Sequence, residues 1–394
     1  MMKYRIPGSF ITLVALALLN PPLSTALAQG SLTPPGAPAP TMKTLDQLDA
    51  KLEMRTPISS LPYSIATAGS YYVTSNLTGV SGNDGINIIS GNVSVDLNGF
   101  TLTGVSGSGA GIYVAGTFTN ITVRNGTINS WGSDGINAWL GGFPRNMVFE
   151  RLTVSANGAR GIYTEADSTV RDCLCFSNHS DGIYDEGGLI SGCLARQNGG
   201  DGIYGGRDCS IVACSVVANA MFGIVSGDGS GISHCTAGGN GTDGIKTGNG
   251  STVSDCTAES NTNNGIVVAD DSTVRDCTSS RNGYSGIVSG SRCQILNNNS
   301  SLNGIPASAS SGIYLNGNYN RVEGNNVVSN NFAGIFSSVF TGGPDSIFHH
   351  NLIVRNSAHG NAVDFQVDST DTYGPIVTGA GVITTNNPWA NFSF

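Results

Sequence analysis

Charge is scarce in this sequence. Asp, Glu, Lys and Arg make up only 11% of 394 residues, less than half the usual share. The 18 Lys and Arg are outnumbered by 27 Asp and Glu, for a net charge of −9. A nucleic-acid binder needs a basic footprint, and none exists here. The same shortage excludes a charged disordered tail and a coiled coil. Long apolar runs are also missing: no segment of the mature chain approaches a transmembrane helix. No C-x-x-C occurs, so the commonest zinc and redox spacings are absent. There is no Gly-X-Y period, which excludes collagen. Glycine, by contrast, is abundant at 55 residues, about twice the usual share. So much Gly within helices would cost about 1 kcal/mol per position, which argues against a helical domain.

The first residues read as an address rather than as structure. Lys3 and Arg5 precede a short apolar run from Ile11 to Leu19, and Ala26-Leu27-Ala28 is an A-x-A cleavage site. Residues 1–28 are therefore expected to be a signal peptide. The protein is expected to be secreted, periplasmic or on the cell surface. Residues 29–40 form a Pro-rich linker. Within 41–64, Leu45, Leu48 and Leu52 have helical spacing, so an N-terminal cap with one short helix is expected there.

A repeat decides the architecture. Gly-Ile recurs at Gly161, Gly182, Gly202, Gly223, Gly244, Gly265 and Gly286, in steps of 20 or 21 residues. Looser copies stand at Gly85, Gly111, Gly135, Gly312 and Gly334, and the twelve markers imply about twelve coils. A second column is Cys173, Cys193, Cys214, Cys235, Cys256 and Cys277, continued by Asn298, Asn325 and Asn351. A third is Asn178, Asn198, Asn219, Asn240, Asn261, Asn282, Asn303, Asn330 and Asn356. Within each coil apolar residues alternate over three to five positions and then meet a turn. That is short-strand spacing. Three strands and three turns fill one repeat, and coils about 4.8 Å apart pair each strand in parallel with its copies. The reading is all-β: a right-handed parallel β-helix over 65–365, with handedness taken from the usual crossover preference. Residues 366–394 are expected to close it as a C-terminal cap bearing Trp389, Phe392 and Phe394. Stacked Asn amides would hydrogen-bond their copies as an asparagine ladder. The Gly before each Ile suits positive φ or a close backbone approach.

These columns, with Val95-Asp96-Leu97-Asn98-Gly99-Phe100 and Asn120-Ile121-Thr122-Val123-Arg124-Asn125-Gly126, resemble the exported members of the pectate-lyase-like β-helix superfamily. The resemblance implies the fold and, in an active member, polysaccharide lyase or glycoside hydrolase chemistry. That superfold also hosts epimerases and inert surface proteins. The superfamily's catalytic strings do not carry over. Of the polygalacturonase set only Asp270-Asp271 is found, and the Asp-Pro-His string of alginate epimerases is absent. No catalytic residue is assigned.

Nine Cys in an exported chain invite disulfides. Stacked copies, however, point alongside one another, which is poor disulfide geometry. A buried ladder of free thiols is expected instead.

An active or binding site on a packed solenoid belongs on its outer face. The residue after each repeat Ile should point outward, and Tyr163, Tyr184 and Tyr204 occupy that position in consecutive coils. Asp181 and Asp201 precede the repeat Gly, and Glu165 and Asp185 are close by in sequence. Tyr163, Tyr184, Tyr204, Glu165, Asp181, Asp185 and Asp201 are the candidate carbohydrate contacts, since phenols and carboxylates suit a sugar's faces and hydroxyls. Neighbouring carboxylates would repel, raising one pKa or inviting a bridging Ca²⁺. The expected ligand is an extracellular polysaccharide, bound and, in an active member, processed by a monomer. The alternative is a non-catalytic, adhesin-like surface solenoid.

Overall fold

Each coil is three short strands joined by bends. In one coil they are Ile203–Gly205, Ser210–Val212 and Ser215–Val217. The first joins a 14-stranded sheet and the other two a 28-stranded sheet. Every pairing is parallel and in register. Ile162, Ile183, Ile203, Ile224, Ile245, Ile266, Ile287 and Ile313 lie one above another. In two early coils the second and third strands run together as Ile121–Asn129 and Met147–Ser155, nine residues each. These long strands tie both stacks into one sheet. The computed structural model describes residues 54–139, 146–165, 167–304, 310–337, 350–379 and 381–394. The expected signal peptide, the linker and residues 41–53 of the expected cap, with Leu45, Leu48 and Leu52, lie outside them. Residues 55–394 form one compact unit, and no helix occurs among the described residues. The smaller sheet has fourteen strands, two more than the Gly-Ile markers. The first, Tyr63–Ile65, and the last, Val363–Gln366, lack the dipeptide.

The interior is a narrow file of stacked apolar side chains. The Ile column is fully buried, as are Val170, Ile190, Ile211, Val253 and Val274 on the facing sheet. The repeat glycines are needed for close approach, not for positive φ. A Cβ on Gly244 would stand 2.5 Å from Asn261 Nδ2 and 2.7 Å from Gly265 O. Left-handed backbone falls elsewhere, on the residue before each ladder position: Asp172 at φ 53°, Gln197 at 54°, His234 at 55° and Ala218 at 57°. An L-residue there costs roughly 1–2 kcal/mol. The bend it makes turns the next side chain inward.

That side chain satisfies the bend. Asn240 donates from Nδ2 to Asn261 Oδ1 (2.9 Å) and to Val216 O (3.3 Å). Its Oδ1 accepts the side-chain and backbone N–H groups of Asn219, both at 3.1 Å. The chain of amides is continuous from Asn157 to Asn361 through Asn178, Asn198, Asn219, Asn240, Asn261, Asn282, Asn303 and Asn330. Two late members differ from the sequence reading. Asn356 belongs under Asn325 and Asn351 under Asn320, while Asn361 ends the main ladder. The step from Asn325 to Asn356 is 31 residues, so the fixed 21-residue count slips to a neighbouring column. The Cys column is a second ladder. Cys214 N–H donates to Cys235 Sγ (3.4 Å), and Cys277 N–H to Asn298 Oδ1 (2.9 Å). All nine thiols are buried and free, as expected.

Asn240→Ala removes the acceptor of two buried donors on Asn219, each worth about 1–3 kcal/mol when left unpaired. We expect a loss of about 3 kcal/mol, read from urea unfolding midpoints. Asn361→Ala, at the half-buried end of the ladder, should lose about 1 kcal/mol. Equal losses at both sites would show that ladder position does not matter.

Candidate functional site

Alternation along a strand decides what the smaller sheet shows to solvent. The Ile faces in, the next residue faces out, and the one after faces in again. Tyr163, Tyr184 and Tyr204 are thus aligned on the outer face in adjacent coils. Trp139, which the repeat does not mark, extends this file by lying parallel to Tyr163, with ring centroids 5.4 Å apart and 10° between planes. Tyr163 meets Tyr184 edge-on at 5.1 Å and 85°. Tyr184 and Tyr204 stack at 4.3 Å and 10°. The rings therefore cover much of one another's faces and offer solvent their edges and phenol groups. Burial first, then Glu186 and Tyr204, push the Tyr184 phenol above its ordinary value. It remains a neutral hydroxyl across the physiological range.

Arg160 binds this file to the carboxylates beside it. Its guanidinium carbon lies 4.1 Å from the Tyr163 ring centroid and 4.9 Å from that of Tyr184. Its Nε donates to Asp181 Oδ2 at 3.2 Å. Asp181 and Asp201, both half-buried, also have a structural task. Asp181 Oδ1 accepts the backbone N–H of Asp201 (2.8 Å), and Asp201 Oδ1 accepts that of Phe222 (3.0 Å). Asp84, Asp134 and Asp243 hold Ala110, Arg160 and Asn264 in the same way. The Asp before each repeat Gly is thus an outer ladder rung with one oxygen committed. Burial, opposed by the Phe222 hydrogen bond and aided by Asp181, pushes Asp201 up to about 6. Burial likewise raises Asp134.

Two of the candidate contacts are not on the exposed face. Asp185 follows the outward Tyr184, so strand alternation turns it inward, where it is fully buried. Its Oδ1 accepts the Gly187 N–H (3.1 Å), while Oδ2 has no hydrogen-bond partner. Burial pushes this carboxyl up to about 7 and the nearby Cys209 thiol up to about 12. Glu165 is also covered, only 5% exposed, at the bend after the inward Thr164. Among the described residues, no three His, Cys, Asp or Glu side chains converge as metal ligands. A Ca²⁺ takes six to eight oxygens. Asp181 has one oxygen on a backbone amide and the other on Arg160.

With this geometry established, the relatives can be placed. The family model for the right handed beta helix region matches residues 110–253 and 244–388. No curated protein matches the chain in sequence. Among solved structures it is similar to the A-module of Azotobacter vinelandii mannuronan C-5 epimerase AlgE4. Identity there is 16% and the TM-score 0.55, covering 78% of this chain and 91% of that one. It is also similar to the AlgE6 A-module, at 18% identity and TM-score 0.51, covering 83% and 90% respectively. At such identities the likeness is one of fold.

The buried Asp185 makes a pH prediction. Its folded-state pKa, about 7, lies above the ordinary 3.8. Stability is therefore full below about pH 4 and is lost as pH rises towards 7, by up to ~4 kcal/mol. Asp185→Asn, which does not titrate, should match the native chain at pH 4, where both side chains are neutral, and exceed it at pH 8 by up to ~4 kcal/mol. Urea unfolding at the two pH values measures this. A variant weaker than the native chain at pH 8 would show that the carboxylate is stabilised where it stands.

Proposed function

The chain belongs to the right-handed β-helix family, and we propose that it binds an extracellular polysaccharide along the outer face of its smaller sheet, from Trp139 to Tyr204. The observation that carries this reading is the aromatic file bound to Arg160, Asp181 and Asp201. It is rigid, partly desolvated and rimmed by hydrogen-bonding groups, as a sugar site requires. Its repeat of about 4.8 Å per coil suits a polymer that repeats along the same axis. Because the rings stack on each other, the sugar hydroxyls would meet phenol groups and ring edges. Arg160 is already paired with Asp181, and the net charge is −9. Both favour a neutral glycan over a polyanion. The likeness to the two epimerase modules is one of fold, so the reading rests on the strip itself. Export, expected from residues 1–28, would bring the strip to such a ligand.

A processing step on the bound chain is favoured by one observation. Asp201 is held near neutrality, at about 6, with an oxygen that does not serve the backbone. A carboxyl so placed can give or take a proton beside the ion-paired Asp181, as lyase or hydrolase chemistry needs. Asp201→Asn would then abolish turnover while leaving binding intact.

A glycan array probed with the chain lacking residues 1–28, with and without Ca²⁺, tests the binding reading. For a glycan so identified, Tyr184→Ala should weaken affinity about tenfold, or ~1.4 kcal/mol. Unchanged affinity in Tyr163→Ala, Tyr184→Ala and Tyr204→Ala would remove the strip as the site and leave the adhesin-like reading.

A further inference from the structure

A second aromatic site lies at the C-terminal end, where the chain leaves the regular repeat. A cavity of about 380 Å³ is bounded there by Leu352, Val354, Tyr373, Pro375, Asn387 and Trp389. Its volume falls within the range of small-ligand pockets, and its lining is mostly apolar with a few polar groups.

The Trp389 wall is held rigidly. Its backbone N–H donates to Asn387 Oδ1 at 2.8 Å. Two residues on, Asn391 is the last rung of the Cys–Asn column. It accepts from Asn356 Nδ2 (3.2 Å) and donates to Ile353 O (3.0 Å) and Gly374 O (3.1 Å). Gly374 allows the crossing, for a Cβ on it would stand 1.7 Å from Trp389 O. The Arg355 guanidinium carbon lies 4.5 Å from the Trp389 ring centroid. Arg355 also donates from Nε to Pro388 O (2.8 Å) and pairs with Glu323 Oε1 (3.0 Å).

Chemistry selects the occupant. On the Trp139–Tyr204 strip the rings stack on one another. Here Tyr373 and Trp389 are 48% and 47% exposed. Among the described residues, neither packs against another aromatic ring. Arg355 lies over one face of Trp389, and the exposed remainder of that ring, with Tyr373, suits the C–H face of a pyranose. Arg355 and Arg321 share Glu323, and Arg355 Nε is taken by Pro388 O, so neither guanidinium stands without an acceptor and the rim favours an uncharged ligand. We propose that this cavity is a subsite for one pyranose unit of a neutral glycan. It is separate from the Trp139–Tyr204 strip and does not rest on that reading.

The sequence has three Trp. Trp131 is buried, so Trp139→Phe in the otherwise intact chain leaves Trp389 as the only exposed indole. Neutral methyl glycosides of glucose, galactose and mannose are titrated against its fluorescence, with saturation-transfer NMR on the glycoside protons. At least one should give a saturable change. Adding Trp389→Ala or Tyr373→Ala should weaken it about tenfold, judged by NMR, and Trp389→Phe should retain most of it. Tyr184→Ala should leave it unchanged, which separates this site from the strip. Silence from every neutral glycoside up to about 100 mM, a weak ligand by any measure, would overturn the proposal. So would a preference for methyl glucuronoside, or equal binding in Trp389→Ala with native circular dichroism.

Discussion

Inward bends of this solenoid leave backbone N–H groups facing the interior, and along the ladders the residue one coil further on supplies the acceptor. Asn198 N–H donates to Asn219 Oδ1, Cys214 N–H to Cys235 Sγ, and Ser230 N–H to Ser251 Oγ. On the outer turn Asp201 N–H donates to Asp181 Oδ1, where the acceptor is one coil back. A buried donor left unpaired costs about 1–3 kcal/mol, and a solenoid of fourteen coils meets the problem at several bends in each. Amide, thiol, hydroxyl and carboxylate columns are thus solutions to one requirement. The like residue recurs because the like amide recurs.

This requirement changes how the carboxylates near the aromatic file are read. Asp84, Asp134, Asp181, Asp201 and Asp243 all hold a neighbouring coil's amide, whether or not an aromatic ring is near. Recurrence of Asp before Gly is therefore explained without catalysis. What distinguishes one member is environment. Asp181 is tied to Arg160, whereas Asp201 is raised by burial and by the Asp181 charge. Chemistry on this face, where it occurs, depends on that asymmetry between two rungs of one ladder.

Much of this was legible in the sequence. The column from Asn178 to Asn303 keeps a step of 20 or 21 residues throughout, and counting alone finds it. Beyond Asn303 the steps become 27 and 31 residues. The extra residues leave the coils in register but defeat the count, which is why Asn351 and Asn356 fell one column out. Asp185 was misplaced for a different reason. Alternation put it inside, but a carboxylate is an unexpected core residue. The inward column that holds it is polar in several coils, at Thr164, Ser226, Thr247 and Ser289, all buried. Trp139 stood outside the count because it lies two residues past the outward Asn137, and only packing brings it to Tyr163.

The spacing that makes the fold also limits what an aromatic column can do. Coils about 4.8 Å apart place rings of adjacent coils within stacking distance, and Tyr184 and Tyr204 do stack, at 4.3 Å. Tyr314 and Phe336 repeat the arrangement at 5.4 Å. A continuous aromatic file on a β-helix therefore covers its own faces, and each added ring contributes mainly an edge and a polar group. Open faces for a sugar ring arise where a file ends or the chain departs from the repeat. Trp139, at one end of its file, and Trp389, beyond the regular coils, meet that condition and are 42% and 47% exposed. On this fold the repeat builds the polar, edge-lined track, and the breaks in the repeat supply the flat surfaces on which a pyranose can rest.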